Sequence, residues 1–244
     1  MKVRIALLLS LLFASPLGAE SLRIVTEDFP PYNFQVEGEA KGLSSEVVLA
    51  VLKQIGSQAK IEFFPWSRAY EMAQTEKNML IFSIARIPER EALFHWVGSI
   101  APYKTSLYKL KTNKTIQVNS IDEAKKYQIG VSLEDVVLTY LRSQNFPSLS
   151  TVSTDVLNIR LLANNRIDLV AYDEASFIHT LSSEGLDAAL FERIFRLEDI
   201  SDQLYMAFSL GSDAELISAF EAGLEAIKAN GVYDQIQARY LNLE

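Results

Sequence analysis

The feature that most limits what this chain can fold into is an alternation of short apolar strands with amphipathic helices, sustained from Leu22 onward. The stretches "LRIVT" (22–26), "KIEFF" (60–64) and "MLIFSIA" (79–85) read as buried strands. Helices are predicted over 44–55 and 67–76. The first has Ser44 as N-cap, Val47, Val48, Val51, Leu52 and Ile55 on one face, and Gly56 at its end. The pattern restarts near residue 105. Ser120 and Glu123 form a capping box for a short helix. Strands "QIGVS" (128–132), "STVS" (150–153) and "IDLVAY" (167–172) are each followed by a helix, over 134–144, 155–165 and 174–181. Ser212 and Glu215 open a helix that ends at Asn230-Gly231, and a last helix runs over about 233–241. Such alternation implies largely parallel sheets covered by helices, with ligands bound beyond the carboxyl ends of the strands. Two runs of this kind, with no Gly/Ser linker between them, predict two α/β lobes joined by short extended segments.

Residues 1–19 stand apart from this pattern. Lys2 and Arg4, the apolar run "IALLLSLLFA" and the small residues Pro16, Gly18 and Ala19 read as a secretory signal peptide cut after Ala19. No later segment is apolar for the roughly twenty residues that a membrane span requires. The chain has no cysteine, so neither a disulfide nor a lipid-anchored N-terminus is available. An exported chain without an anchor is expected in a periplasm. Its 31 acidic against 23 basic residues argue against nucleic acid or an anionic membrane as partner. With only His95 and His179 and no cysteine, a transition-metal site has poor material, and no cofactor motif occurs. Nothing resembles a nucleophile elbow either. Glu27, Asp28, Asp173 and Glu174 could serve acid–base chemistry, though carboxylates are common and this signal is weak.

Several side chains fall just after predicted strands and are candidates for a site. Arg90, in "IPER", could hold a carboxylate through the planar fork of its guanidinium, or pair at the surface with Glu89 or Glu91. Arg86 could be a second clamp or a salt bridge between lobes, and Arg68, in the first turn of a helix, stands similarly. Asp173 could cap the helix it precedes, face an ammonium group, or do both. Phe29 in "EDFPPY" and Trp66 in "FFPWSRAY" lie on loops, where aromatics either wall a pocket or fill a core.

Taken in order, "FPPYNF", "GLSSEVV", "FSIARIPEREALF", "IGVS", "NNRIDLVAYDEASF" and "GLEAIKANGVYDQIQARYL" resemble the bacterial family-3 periplasmic solute-binding proteins of the polar amino-acid type. The resemblance implies the type II two-lobed fold, with lobe one over 20–104 plus 202–244 and lobe two over 105–201, closing on a small molecule about two crossover segments. It implies capture of a small polar solute, an amino acid or related compound, for an ABC-type permease. By position it makes Arg90 the grip on an α-carboxylate and Asp173 the partner of an α-ammonium. It sets Phe29 and Trp66 about the side chain and Ser83 on a strand that offers hydroxyl or backbone contacts. A monomer is expected, since no heptad or self-pairing segment appears.

The chain departs from that family's pattern where a glycine and a Ser or Thr commonly open a carboxylate-binding helix. Here "SLEDVV" places Glu134 and Asp135, with Ser132 and Asp135 as a capping pair, and Ile87 stands where a threonine is usual. Acids at that point would repel a ligand carboxylate, so a solute with an extra cationic group fits better. Two other readings remain at this stage. One is a dehydratase resembling the cyclohexadienyl type, with Arg86 and Arg90 holding a cyclic acid and Asp173 or Glu174 supplying a proton. The other is a free sensor for a membrane receptor, with no fused output domain expected after the final helix.

Overall fold

The computed structural model describes residues 22–241, so the expected signal peptide lies outside the described residues. Five strands make the first sheet: β1 (Arg23–Thr26), β4 (Ile61–Phe63), β5 (Met79–Ala85), β6 (Phe94–Pro102) and β12 (Gln203–Ser209), in the order β4-β1-β5-β12-β6. The second sheet has β7 (Thr105–Leu110), β8 (Ile129–Ser132), β9 (Leu149–Val152), β10 (Leu169–Asp173) and β11 (Phe191–Arg196), in the order β11-β7-β10-β8-β9. A hairpin of β2 (Phe34–Val36) and β3 (Glu39–Lys41) stands outside both. The helices are α1 (Leu43–Gln54), α2 (Trp66–Thr75), α3 (Ile121–Ala124), α4 (Val136–Ser143), α5 (Asp155–Ala163), α6 (Glu174–Ser183), α7 (Ala214–Ala229) and α8 (Val232–Leu241). The fold is the expected two-lobed α/β architecture.

The sheets are mixed rather than largely parallel. β1 pairs in parallel with β4 and β5, and β8 with β9 and β10, as helix-linked strands must. The chain also passes between sheets twice, from β6 to β7 and from β11 to β12. Strands beside these crossings pair antiparallel: β12 with β5 and β6, and β7 with β10 and β11. The crossings are tied together, with Tyr103 N donating to Asp202 O at 3.0 Å and Thr105 N to Ser201 Oγ at 2.9 Å.

Burial explains the helices. Val47, Val48, Val51 and Leu52 turn α1 onto the first sheet, where α7 and α8 join it through Phe220, Leu224, Ile227 and Ile236. Trp66, Ala69, Met72 and Ala73 turn α2 onto the opposite face, against Val25, Ile81 and Ala207. Two caps differ from the sequence reading. Ser44 does not cap α1, which starts one residue earlier; the carbonyls of Pro31 and Tyr32 receive Leu43 N and Ser44 N instead. That contact needs Gly42, whose φ is +102° and whose Cβ would lie 2.5 Å from Tyr32 O. Ser212 does not cap α7 either, because its hydroxyl pairs with Ser209 Oγ and Asp213 precedes the helix.

Candidate functional site

Strand ends and their loops converge between the two sheets on a tight cavity of about 20 Å³, room for about one water molecule. Glu27 reaches it from the end of β1, Trp66 from the first residue of α2 rather than from a loop, and Ser83, Ala85 and Arg90 from β5 and the turn after it. From the second sheet come Asp135 after β8, Asp155 after β9, and Asp173 at the end of β10. Phe29, Tyr103 and Tyr172 supply aromatic wall. A wider groove continues outward past Asp28, Phe64, Ser132 and Thr154.

Arg90 is 4% exposed. Pro88 opens the short 3-10 turn that carries it, and its guanidinium lies 4.9 Å from the centre of the Tyr70 ring and 5.6 Å from that of Trp66. The fork expected to hold a solute carboxylate lines the cavity and is partly engaged within the chain. Nη2 donates to Glu134 O at 2.9 Å and Nη1 approaches Ala85 O at 3.4 Å. Trp66 Nε1 donates to the same Glu134 carbonyl at 2.9 Å. Glu134 has a φ of +57°, and its side chain is exposed in a separate groove beside Arg68 and Glu71. Of the two acids expected to face the ligand, only Asp135 does so. It does not pair with Ser132 but is itself the N-cap of α4, accepting from Val137 N at 2.7 Å. Ser132 bonds Asp155.

Asp173 does cap α6, through Ser176 N at 2.8 Å, and its other oxygen accepts from Lys104 N and from Tyr32 OH, each at 3.2 Å. Burial pushes its carboxyl up to about 6 against the pull of those donors. Burial also raises Asp155, to about 7, helped by the neighbouring Asp135. Asp135 is raised by burial in spite of its bond to Val137 N and the nearby Arg90. Burial and the charges of Asp155 and Asp135 push Glu27 well above its ordinary range. Four carboxylates thus share a cavity with one guanidinium. Among the described residues, no group of three His, Asp or Glu side chains is placed to hold a metal ion.

The other predicted residues divide cleanly. Phe29 and Trp66 line the cavity, and Phe29 packs on Tyr32 and Tyr172. Ser83 lines it too, at a bulge in β5 where the partner strand skips from Ile84 to Phe82. Its φ of +60° turns the hydroxyl onto Asn33 Oδ1. Arg86 is not brought to the cavity. It is ion-paired with Glu91 and lies over Trp96 and Tyr205. Arg68 is 56% exposed and paired with Glu71, three residues along its helix. Ile87 is buried in the core. Glu174 is absent from the cavity lining: burial pushes its carboxyl up, but bonds from Arg196, Ser106 and Arg193 outweigh this and hold it low. Of the groups in the dehydratase reading, Arg90 and Asp173 line the cavity, whereas Arg86 and Glu174 do not.

Residues 22–243 match the family described as bacterial extracellular solute-binding proteins, family 3. The chain belongs to that family. It is 22% identical over 218 residues to a probable histidine-binding protein of Campylobacter jejuni, covering 87% of this chain and 81% of that one. It is 24% identical over 245 residues to the arginine-binding periplasmic protein of Mannheimia haemolytica, covering 96% and 97%. Among solved structures, a histidine kinase sensor domain similar to periplasmic binding proteins superposes with a TM-score of 0.81 at 18% identity, over 90% of this chain and 96% of that one. An ancestral arginine-binding protein bound to arginine superposes with a TM-score of 0.75 at 21% identity, over 90% and 97%. These likenesses establish the fold and the solute-binding family.

In this solute-binding protein, Tyr32 links the loop after β1 to Asp173 of the other sheet. Tyr32→Phe removes one buried donor from a carboxylate that keeps two others, and such a loss costs about 1–2 kcal/mol. The expected result is an unfolding midpoint lower by roughly 2–8 °C by calorimetry, with the secondary structure unchanged.

Proposed function

We propose that this protein captures a small polar solute, an amino acid or related compound, in the periplasm and delivers it to an ABC-type permease. The cavity between the two sheets carries this reading, with aromatic walls and charged groups supplied by both. The residues proposed to meet the solute are Asp173, Arg90, Phe29, Trp66 and Ser83, joined by Asp135, which the sequence sets against a ligand carboxylate, by Glu27, which it offers for acid–base chemistry, and by Asp155, which it does not single out. Lobe one comprises 20–104 plus 202–244 and lobe two 105–201. Closure turns on the paired crossings at Tyr103–Thr105 and Ser201–Asp202. The hydrogen bonds from Arg90 and Trp66 to Glu134 O, and from Tyr32 to Asp173, join elements of the two sheets and belong to the closed arrangement. The names of the two relatives, one histidine-binding and one arginine-binding, favour a solute with a basic nitrogen-bearing side chain. Four carboxylates against one guanidinium favour it independently.

The test is thermal unfolding of the exported protein, freed of co-purifying solute, against amino acids, polyamines, dicarboxylates, short peptides and cyclic acids. A solute at a hundred times its dissociation constant adds about 2.7 kcal/mol, expected here as a rise of roughly 5–10 °C. A shift only with cyclic acids, accompanied by product formation, would replace this reading with the enzymatic one. No shift from any compound would defeat it.

A further inference from the structure

Two electropositive features of the cavity are already engaged, at least in part, by acceptors of the chain itself. Arg90 is the only basic side chain among the lining residues, and its two terminal nitrogens face Glu134 O and Ala85 O. The other positive feature is the first turn of α4, whose Val136 and Val137 line the cavity. There the Asp135 carboxylate takes Val137 N at 2.7 Å, holding an amide that an incoming carboxylate would otherwise use.

The negative side is unbalanced. Asp135, Asp155, Asp173 and Glu27 all line the cavity. Among the described residues the Glu27 carboxylate has neither a hydrogen bond nor an ion pair, and only the more distant Arg90 charge favours its ionised form. A cation placed among these groups would satisfy Glu27 and relieve the repulsion between Asp135 and Asp155. A solute carboxylate would add a fifth negative group and would meet the Asp135 carboxylate at the start of α4. The aromatic rings of Phe29, Trp66 and Tyr172 suit the face of a guanidinium or an alkylammonium chain.

We propose that Asp135 occupies, as part of the chain, the place a solute's carboxylate would need, and that the site takes small organic cations without a carboxylate, such as diamines or guanidino-amines. This rests on the solute-binding reading above and narrows it. The test compares molecules that differ only by the carboxylate: agmatine against arginine, putrescine against ornithine, and cadaverine against lysine, by titration calorimetry at pH 8 on the solute-free protein. The expected result is at least one pair in which the amine binds a hundredfold or more tighter than its amino acid. In Asp135→Asn, that ratio is expected to fall below tenfold, through better binding of the amino acid.

Amino acids that bind as tightly as their amines would overturn the proposal and leave the solute-binding reading standing. So would an unchanged ratio in a folded Asp135→Asn. The wild-type comparison decides even if that variant does not fold. Binding by neither member of any pair also overturns the proposal. The wider thermal panel then separates the two readings, because a shift with an anionic or neutral solute keeps solute capture and its absence removes both.

Discussion

Arg90→Ala is expected to lower the unfolding midpoint of the solute-free protein by roughly 10 °C at pH 8, and by clearly less at pH 5. The side chain is 4% exposed, packed on Trp66 and Tyr70, and bonded to two main-chain carbonyls. Alanine leaves those carbonyls without their donor and removes the one basic side chain lining a cavity with four carboxylates. Breaking one partner of a buried charged set costs about 3–5 kcal/mol, and each kcal/mol moves the midpoint of a domain this size by about 2–4 °C. The Arg90 charge acts on Glu27 and Asp135, both raised by burial, so at pH 5 these are more protonated than at pH 8 and less repulsion is left for Arg90 to offset. Arg68→Ala is the control: its exposed pair with Glu71 contributes about 0.5 kcal/mol or less. Calorimetry at both pH values measures this. Equal losses at pH 5 and pH 8 would show that Arg90 acts by packing and main-chain bonds rather than by its charge.

How far the site was legible in the sequence follows from where its residues sit. Arg90 and Asp173 were found because they stand just past apolar runs, where a parallel sheet exposes its carboxyl edge. The same rule covers Glu27 after β1, Asp135 after β8 and Asp155 after β9. Glu27 carries only a weak acid–base signal, Asp135 reads as a helix start that would repel a ligand carboxylate, and Asp155 reads only as helix. A carboxylate that caps or opens a helix looks the same in sequence whether its other oxygen meets water or a cavity.

The helix-linked parallel strands were visible, whereas β6, β7, β11 and β12 were not. β6 is broken by Gly98 and Ser99 and shows no clean period, and β11 exposes Glu192 and Arg193 along the sheet edge. These antiparallel strands carry the crossings between sheets, so the mixed topology went unseen with them. The role of Arg86 was undecidable for another reason. Its partner Glu91 lies five residues on, across a 3-10 turn whose geometry decides which of the two arginines turns inward.

The solute-free protein is expected to lose stability as pH rises from about 5 to about 7.5, the reverse of what salt-bridged carboxylates produce. Asp173 and Asp155 carry folded-state values of about 6 and about 7, against about 3.9 in an unfolded chain. Between those limits the folded state binds more protons than the unfolded one, so the slope of stability against pH is negative. The benefit of holding these groups neutral is fully present below about 4 and is gone above about 7. Asp173 alone, shifted by about two units, accounts for roughly 3 kcal/mol; the half-buried Asp155 adds a smaller share. Glu62, Glu91 and Glu184 are held low by Arg23, Arg86 and Arg160, and they act in the opposite sense only in more acidic solution. The midpoint is therefore expected to fall by roughly 5–10 °C between pH 5 and 7.5. Binding of a cation is expected to run the other way, because a cation held by ionised carboxylates displaces the protons they carry. Affinity for a cation is expected to rise by up to about tenfold per pH unit for each proton displaced. Calorimetry in buffers of differing ionisation enthalpy counts those protons directly. A midpoint that climbs from pH 5 to 7.5, or a cation that binds with no proton release at pH 6, would mean that the cavity's carboxylates are already ionised before the solute arrives.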